Sequence, residues 1–195
     1  MRFGLALFML VWPLLGLAGE ANSKRIYGLQ EKVHIHELGI DLPAKLDTGA
    51  ESASLSARYI KVFERDGVKM VEFDLAVSHA DREKWGITQD QWDDVQLPLS
   101  KHVRIKRRAE SLAGEETDYS RRPVVALTLC MGGHRATVDV NLTDRSDFQY
   151  PLLVGAEALR ALDAVVDPSQ SMTAASPSCD RGNADNNTKE AAEAQ

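Results

Sequence analysis

Hydrophobic positions in this chain recur mostly with a period of two. Val33-His34-Ile35-His36-Glu37-Leu38 alternates, and Gly39-Ile40-Asp41-Leu42-Pro43-Ala44-Lys45-Leu46 follows in the same manner, as half-buried strands do. Arg58 to Glu64 and Val68 to Val77 flank Asp66-Gly67, a dipeptide suited to both positive-φ positions of a tight hairpin turn. In the second arm Val71, Phe73, Leu75 and Val77 share one face, with Glu72 and Asp74 on the other. A second hairpin is predicted at Gly132-Gly133, with Val125, Leu127, Leu129 and Met131 on one arm and Ala136, Val138, Val140 and Leu142 on its return. Lys101 to Arg108 also alternates, its basic residues forming the wet face of a strand. Pro151-Leu152-Leu153-Val154-Gly155 is an apolar strand leading into Ala156 to Leu162, a short run of good helix formers. The pattern predicts a mainly β single domain with one short C-terminal helix and no internal repeat.

Two stretches break the rhythm. Ser78 to Asp94 is charged, carries Trp85 and Trp92, and reads as an insertion with a short helical turn; its tryptophans either cover a groove or pack a small core of their own. Arg107 to Ser120 is polar and acidic, an exposed loop. Val165-Val166-Asp167-Pro168 is expected to end the ordered body, giving a domain over residues 25–168. Residues 180–195 hold no aromatic side chain and only Thr188 as a β-branched one, a composition expected to stay disordered. At the other end, Arg2, the apolar Phe3–Leu17 run and the small residues of Gly16-Leu17-Ala18 predict a signal peptide over residues 1–18. The apolar run is shorter than the roughly 20 residues of a spanning helix. The expectation is a periplasmic or secreted chain with no stable membrane insertion after cleavage.

Composition narrows the chemistry. A formal net charge of −6 argues against a nucleic-acid partner. The chain contains neither a Gly-x-x-x-x-Gly-Lys-Ser/Thr loop nor a His-Glu-x-x-His, so ATP is not an expected cofactor and no metal or other cofactor is called for. His34 and His36, two apart, read as an ordinary strand pair rather than as ligands. Cys130 and Cys179 are the only cysteines; in an oxidising compartment they either pair, tying the tail to the body, or remain two thiols. A Gly-x-Ser-x-Gly elbow is absent, and neither cysteine has an obvious histidine partner.

The strongest chemical signal is Asp47-Thr48-Gly49-Ala50, at the end of the strand Pro43–Leu46. The glycine lets the backbone turn closely, and the threonine hydroxyl can hydrogen-bond across the loop and orient the acid. Here the chain resembles the single-domain retropepsin-like aspartic peptidases. It is similar in particular to a bacterial family formerly labelled ATP-dependent zinc protease. The resemblance covers roughly Arg25 to Pro168 and rests on Lys45-x-Asp-Thr-Gly-Ala, Thr143-Asp144-Arg145, Tyr150-Pro151-Leu152-Leu153 and the glycine at Gly155. It implies a closed retropepsin-like barrel, Asp47 as the catalytic acid, and Thr48, Gly49, Ala50 and Glu51 as its supporting loop. It further implies Arg145 and Gly155 as residues behind that loop, and Tyr59 to Val77 as a candidate flap hairpin. Asp144 is expected to be structural, pairing with Arg145 or a backbone amide. One departure stands out: Ala156 follows Gly155 where the family carries an arginine that braces the acid position held here by Glu51. Arg145 and Arg160 are the candidates to replace it.

A water-activating aspartic site needs two carboxylates sharing one proton. This chain carries a single Asp-Thr-Gly, so the resemblance implies a homodimer in which Asp47 faces Asp47. The expected activity is hydrolysis of peptide or protein substrates by an exported aspartic endopeptidase. The alternative, prompted by the missing arginine, is a retropepsin-like binding or assembly module of the bacterial envelope with little turnover.

Overall fold

The computed structural model describes residues 24–106 and 119–175. The expected signal peptide at 1–18, most of the loop expected at 107–120, the tail expected to be disordered at 180–195 and Cys179 lie outside the described residues. Eleven strands and three short helices follow in order: β1 (Arg25–Gly28), β2 (Gln30–Ile35), β3 (Ile40–Asp47), β4 (Ala53–Arg65), β5 (Val68–Leu75), α1 (His79–Trp85), α2 (Gln89–Trp92), β6 (Val95–Pro98), β7 (Lys101–Lys106), β8 (Tyr119–Met131), β9 (His134–Thr143), β10 (Leu152–Gly155), α3 (Ala156–Ala161) and β11 (Ala164–Asp167). Both predicted hairpins form, β4–β5 around Asp66-Gly67 and β8–β9 around Gly132-Gly133. His36 to Leu38, expected to prolong β2, turn instead, with the Gly39 N–H donating to the His36 carbonyl at 3.2 Å.

Strand pairing closes a ring. β10 lies parallel to β3 and antiparallel to β4, and the path β3–β2–β8–β9–β4 completes the circuit. Closure leaves the ring no free edge, which is how small β domains avoid edge-to-edge association. β5 and β6 extend outward from β4, and β7 flanks β8. The inward faces carry the core: Val33, Ile35, Leu42, Leu46, Leu55 and Phe73 are among the fully buried side chains. The period-two pattern therefore reports a real inside and outside. β3 alternates buried and half-buried along its whole length up to Asp47.

β1 and β11 pair in parallel as a separate two-stranded sheet. The ordered body does not end at Pro168 as expected; residues 170–174 return along β1 and β2. The Leu29 N–H donates to the Gln170 carbonyl (2.8 Å) and the Met172 N–H to the Gln30 carbonyl (2.7 Å). Glu31 anchors this strap. Period two places it on the face of Val33 and Ile35, and its carboxylate accepts from the Gly28 amide (2.6 Å), the Thr173 hydroxyl and amide (2.6 and 3.0 Å) and the Ala174 amide (2.9 Å). A buried carboxylate is tolerable only when its lone pairs are filled, and the strap fills them. The strap sits so close that a Cβ on Gly28 would lie 2.5 Å from the Ser171 Cα.

The insertion carries two short helices rather than one turn. Ser78 caps α1 by accepting from the Asp81 amide at 3.1 Å, and Thr88 with Gln91 forms a capping box on α2. Trp85 and Trp92 are half-buried against the core, and the Arg82 guanidinium stacks 3.9 Å from the centroid of Trp92.

Candidate functional site

Strand β3 delivers Asp47 to the surface and β4 departs at Ala53, leaving a loop of five residues between them. β10 runs between these two strands. Its register sets Gly155 beside Asp47 on one side and Leu153 beside Ser54 on the other. The loop therefore folds over the end of β10. The Ala156 amide donates to the Ala50 carbonyl (2.7 Å) and the Glu157 amide to the Glu51 carbonyl (3.0 Å). A Cβ on Gly155 would stand 2.5 Å from the Ser52 carbonyl oxygen and 2.8 Å from that of Ala50. Only glycine permits the crossing, which explains why it is required at a position remote in sequence from the acid.

The Asp47 carboxylate is partly exposed, at 31 % for the side chain. Its Oδ1 accepts the Gly49 amide at 3.0 Å, and Lys45 Nζ lies 3.9 Å from Oδ2. No other carboxylate among the described residues hydrogen-bonds to it. Thr48 is exposed and makes no hydrogen bond within the described residues. The orienting contact expected of its hydroxyl is made instead by the Gly49 amide, because the turn aims that N–H inward and the threonine outward.

The missing brace is restored from one helical turn further on. Arg160 Nη2 donates to Glu51 Oε1 at 2.9 Å. α3 begins at Ala156, so residues 156 and 160 lie one above the other on the same helix face, and a guanidinium from either can reach Glu51. Arg145 does a different job. It is 8 % exposed, its Nη1 donates to the Ser54 hydroxyl (3.0 Å), its backbone N–H donates to Ser56 Oγ (3.1 Å), and its guanidinium lies 4.5 Å from the Phe148 ring centroid. Burial pushes the Arg145 pKa down, Arg122 pushes the same way, and the charge of Asp47 opposes both. Asp144, expected to be structural, accepts the Ser146 amide at 2.8 Å, the leading cause of its depressed pKa.

Three residues at this site escaped the sequence pattern. Asn141 donates through Nδ2 to the Ala53 carbonyl (2.6 Å) and to Ser52 Oγ (3.2 Å), while its Oδ1 accepts Arg122 Nη1 at 3.1 Å. Ser54 and Ser56, buried at 4 % and 0 %, receive Arg145. The available signal was a pair of hydroxyls on strand positions where the burial pattern otherwise demands apolar residues.

Beside the loop lies a groove of about 710 Å³, bordered by Ala50 and Ser54, by Leu153, and by Ile105 and Lys106 of β7, with Arg122 and Arg145 also lining it. The expected flap hairpin, Tyr59 to Val77, does not line this groove. The β4–β5 turn at Asp66-Gly67 follows Ala53 by a 13-residue strand, about 40 Å of extended chain away. β7 and β8 pair from Lys101–Val124 to Lys106–Tyr119, and the open end of that pair borders the groove. The paired strands beside the site are thus β7 and β8.

Other expected residues lie apart from the groove. Cys130, buried, is disulfide-bonded. His34 Nδ1 lies 2.8 Å from Asp41 Oδ1, so one ring nitrogen is committed to a carboxylate. An acidic cluster of Asp74, Asp93 and Asp94 sits at the β5–α2 junction, where burial, foremost, raises the Asp74 pKa. No helix of the described residues is long and apolar enough to cross a membrane.

Comparisons with known proteins agree with this geometry. The family described as retropepsin-like aspartic endopeptidase RimB matches residues 26–177. The crystal structure of Lpg0085 from Legionella pneumophila, a protein of unknown function, superposes with a TM-score of 0.58 at 31 % identity, covering 78 % of this chain and 100 % of that one. Among curated proteins, a probable alpha-L-glutamate ligase of Shewanella halifaxensis is 30 % identical over 152 residues, 77 % of this chain and 30 % of the relative. One of Parasynechococcus marenigrum is 28 % identical over 152 residues, 77 % of this chain and 29 % of the relative. The chain spans under a third of the length of these curated relatives, so their ligase name covers far more protein than is matched. The family match takes in the Asp-Thr-Gly loop, the strand that threads it and the returning strap; this chain belongs to the RimB-like family of retropepsin-like aspartic endopeptidases.

Proposed function

We propose that this chain is an exported aspartic endopeptidase whose active site forms between two copies, each supplying Asp47. The observation that carries the proposal is the placement of Asp47: a surface carboxylate held by the Gly49 amide, on a loop locked by β10 and Gly155, with no second carboxylate bonded to it among the described residues. Across a two-fold axis, two such acids share one proton. The ionised one takes a proton from water as the water oxygen bonds to the scissile carbonyl carbon. The protonated one gives its proton to the carbonyl oxygen. Collapse of the tetrahedral intermediate breaks the C–N bond as the protonated acid gives its proton to the amine nitrogen and one hydroxyl of the intermediate gives its proton to the ionised acid, so the pair again holds one proton.

The groove supports a polypeptide substrate with acidic side chains. Arg122, Arg145 and Lys106 line it, and Glu51 is neutralised by Arg160. The glutamate named for the curated relatives fits that polarity. The Glu51–Arg160 pair also weakens the case for a binding module without turnover, which rested on the absent brace. Periplasmic or secreted placement rests on the leader.

The test uses the mature chain on an unbiased peptide pool, read by mass spectrometry. Wild type should cut peptides, and Asp47→Asn should lose activity by about 10²–10⁴-fold or more. Undiminished hydrolysis by Asp47→Asn, or a wild type that cuts nothing while oligomeric, would sink the proposal.

A further inference from the structure

A second depression, of about 630 Å³, adjoins the groove: Ser120, Arg122 and Thr143 line both. Its apolar wall is Ile60, Val62 and Pro123; Arg58 and Arg121 add positive charge, partly offset by Asp144, whose carboxylate feels the charge of Arg58. Neither Arg58 nor Arg121 has a carboxylate within ion-pair distance among the described residues, and Arg58 Nε is buried without a hydrogen-bond partner.

Tyr59 stands at its edge in an unusual state. Its φ is +54°, in the left-handed region that bulky residues rarely occupy. The residue is 77 % exposed. The strand makes this happen: the β4–β5 register shifts between Arg58 and Lys61, and a bulge of that kind re-aims a side chain. The Arg58 guanidinium sits 5.4 Å from the ring centroid. A strained backbone that holds an aromatic ring in water, next to cations without a close ion pair and continuous with a candidate substrate groove, is an arrangement suited to a ligand.

We propose that this depression is a distal subsite of the substrate groove. It packs an apolar or aromatic side chain of the substrate on Tyr59 and sets a neighbouring carboxylate against Arg58 and Arg121. The proposal rests on the peptidase reading above. Tyr59 lies six residues beyond Ala53, where the loop rejoins β4, about 20 Å along the strand, so an extended peptide running from the loop to Tyr59 needs about six residues.

The probe is a peptide retained from the unbiased pool by the full Asp47→Asn chain, made in two lengths, with and without the apolar–acidic pair, and fluorescein-labelled. In wild type the longer peptide should have a kcat/KM about tenfold above the shorter one, through KM, as about 1.4 kcal/mol of added contact requires. Tyr59→Ala should bring that ratio near one, while Tyr59→Phe keeps it. A wild-type ratio in Tyr59→Ala overturns the subsite. If wild type cuts neither peptide, the peptidase reading fails, and the subsite is judged by anisotropy alone. Preference of Asp47→Asn for the longer peptide, lost on adding Tyr59→Ala, upholds it; equal binding, or a pool from which nothing is retained, overturns it.

Discussion

Glu31 and Glu51 show how two carboxylates in one small domain come to matter for different reasons. Glu31 has no exposed surface, and although burial pushes its pKa up, hydrogen bonds from Thr173, Ala174 and Gly28 outweigh burial and hold it below the ordinary glutamate value. The sign follows: a depressed folded pKa contributes stability that is fully present above the unfolded value, near 4.3, and is lost as pH falls through the folded one. Glu31→Gln should therefore lower stability by about 1–3 kcal/mol at neutral pH, with the difference from wild type narrowing in acid, read by denaturant titrations across pH. An equal difference at all pH values would show that the charge is irrelevant. Glu51, by contrast, is exposed, and its pair with Arg160 contributes below about 1 kcal/mol to folding. Its effect belongs to loop geometry. Arg160→Gln and Glu51→Gln should each reduce kcat/KM several-fold with little change in Tm, and the double variant should be no worse than either single one. Additive losses would separate the two residues.

Among the elements, β10 decides most. Four residues long, it divides the strand that carries Asp47 from the strand that leaves the loop, and Gly155 ends it in contact with both loop carbonyls. Gly155→Ala forces the loop to move, which should cost about 1–3 kcal/mol and remove activity more completely than the stability loss explains. Activity retained at wild-type level on a folded chain would show that the crossing tolerates slack. The hairpins were legible because Asp66-Gly67 and Gly132-Gly133 supply the positive-φ turns that strand twist requires. Which hairpin borders the groove was not legible. That depends on the length of β4 and on the pairing of β7 with β8, neither of which a turn dipeptide encodes.

For the whole molecule, closure of the ring needs no strand from a partner, whereas the single acid means that the proposed chemistry requires two copies. Mixing wild type with an equal amount of Asp47→Asn tests this directly. If the site takes one Asp47 from each copy and subunits exchange freely, total activity should fall to about half. Unchanged total activity would mean that each chain works by itself. The acidic net charge does not prevent a basic wall beside the loop, because charge balance is a property of the composition and the groove is a property of which strands meet.

Period-two alternation, turn dipeptides and one Asp-Thr-Gly were sufficient to determine the mainly β architecture, both hairpins, the C-terminal helix and the position of the acid, because each depends on neighbours within a few residues. Only the tertiary structure decided that Arg160 replaces the absent brace and that Asn141 and Arg122 hold the loop. The same is true of the strap, which continues past Pro168 to satisfy Glu31, and of Tyr59, held outward by a bulge. Most of these join residues dozens of positions apart, and contacts of that range are selected by how strands pair and close, which local pattern does not encode.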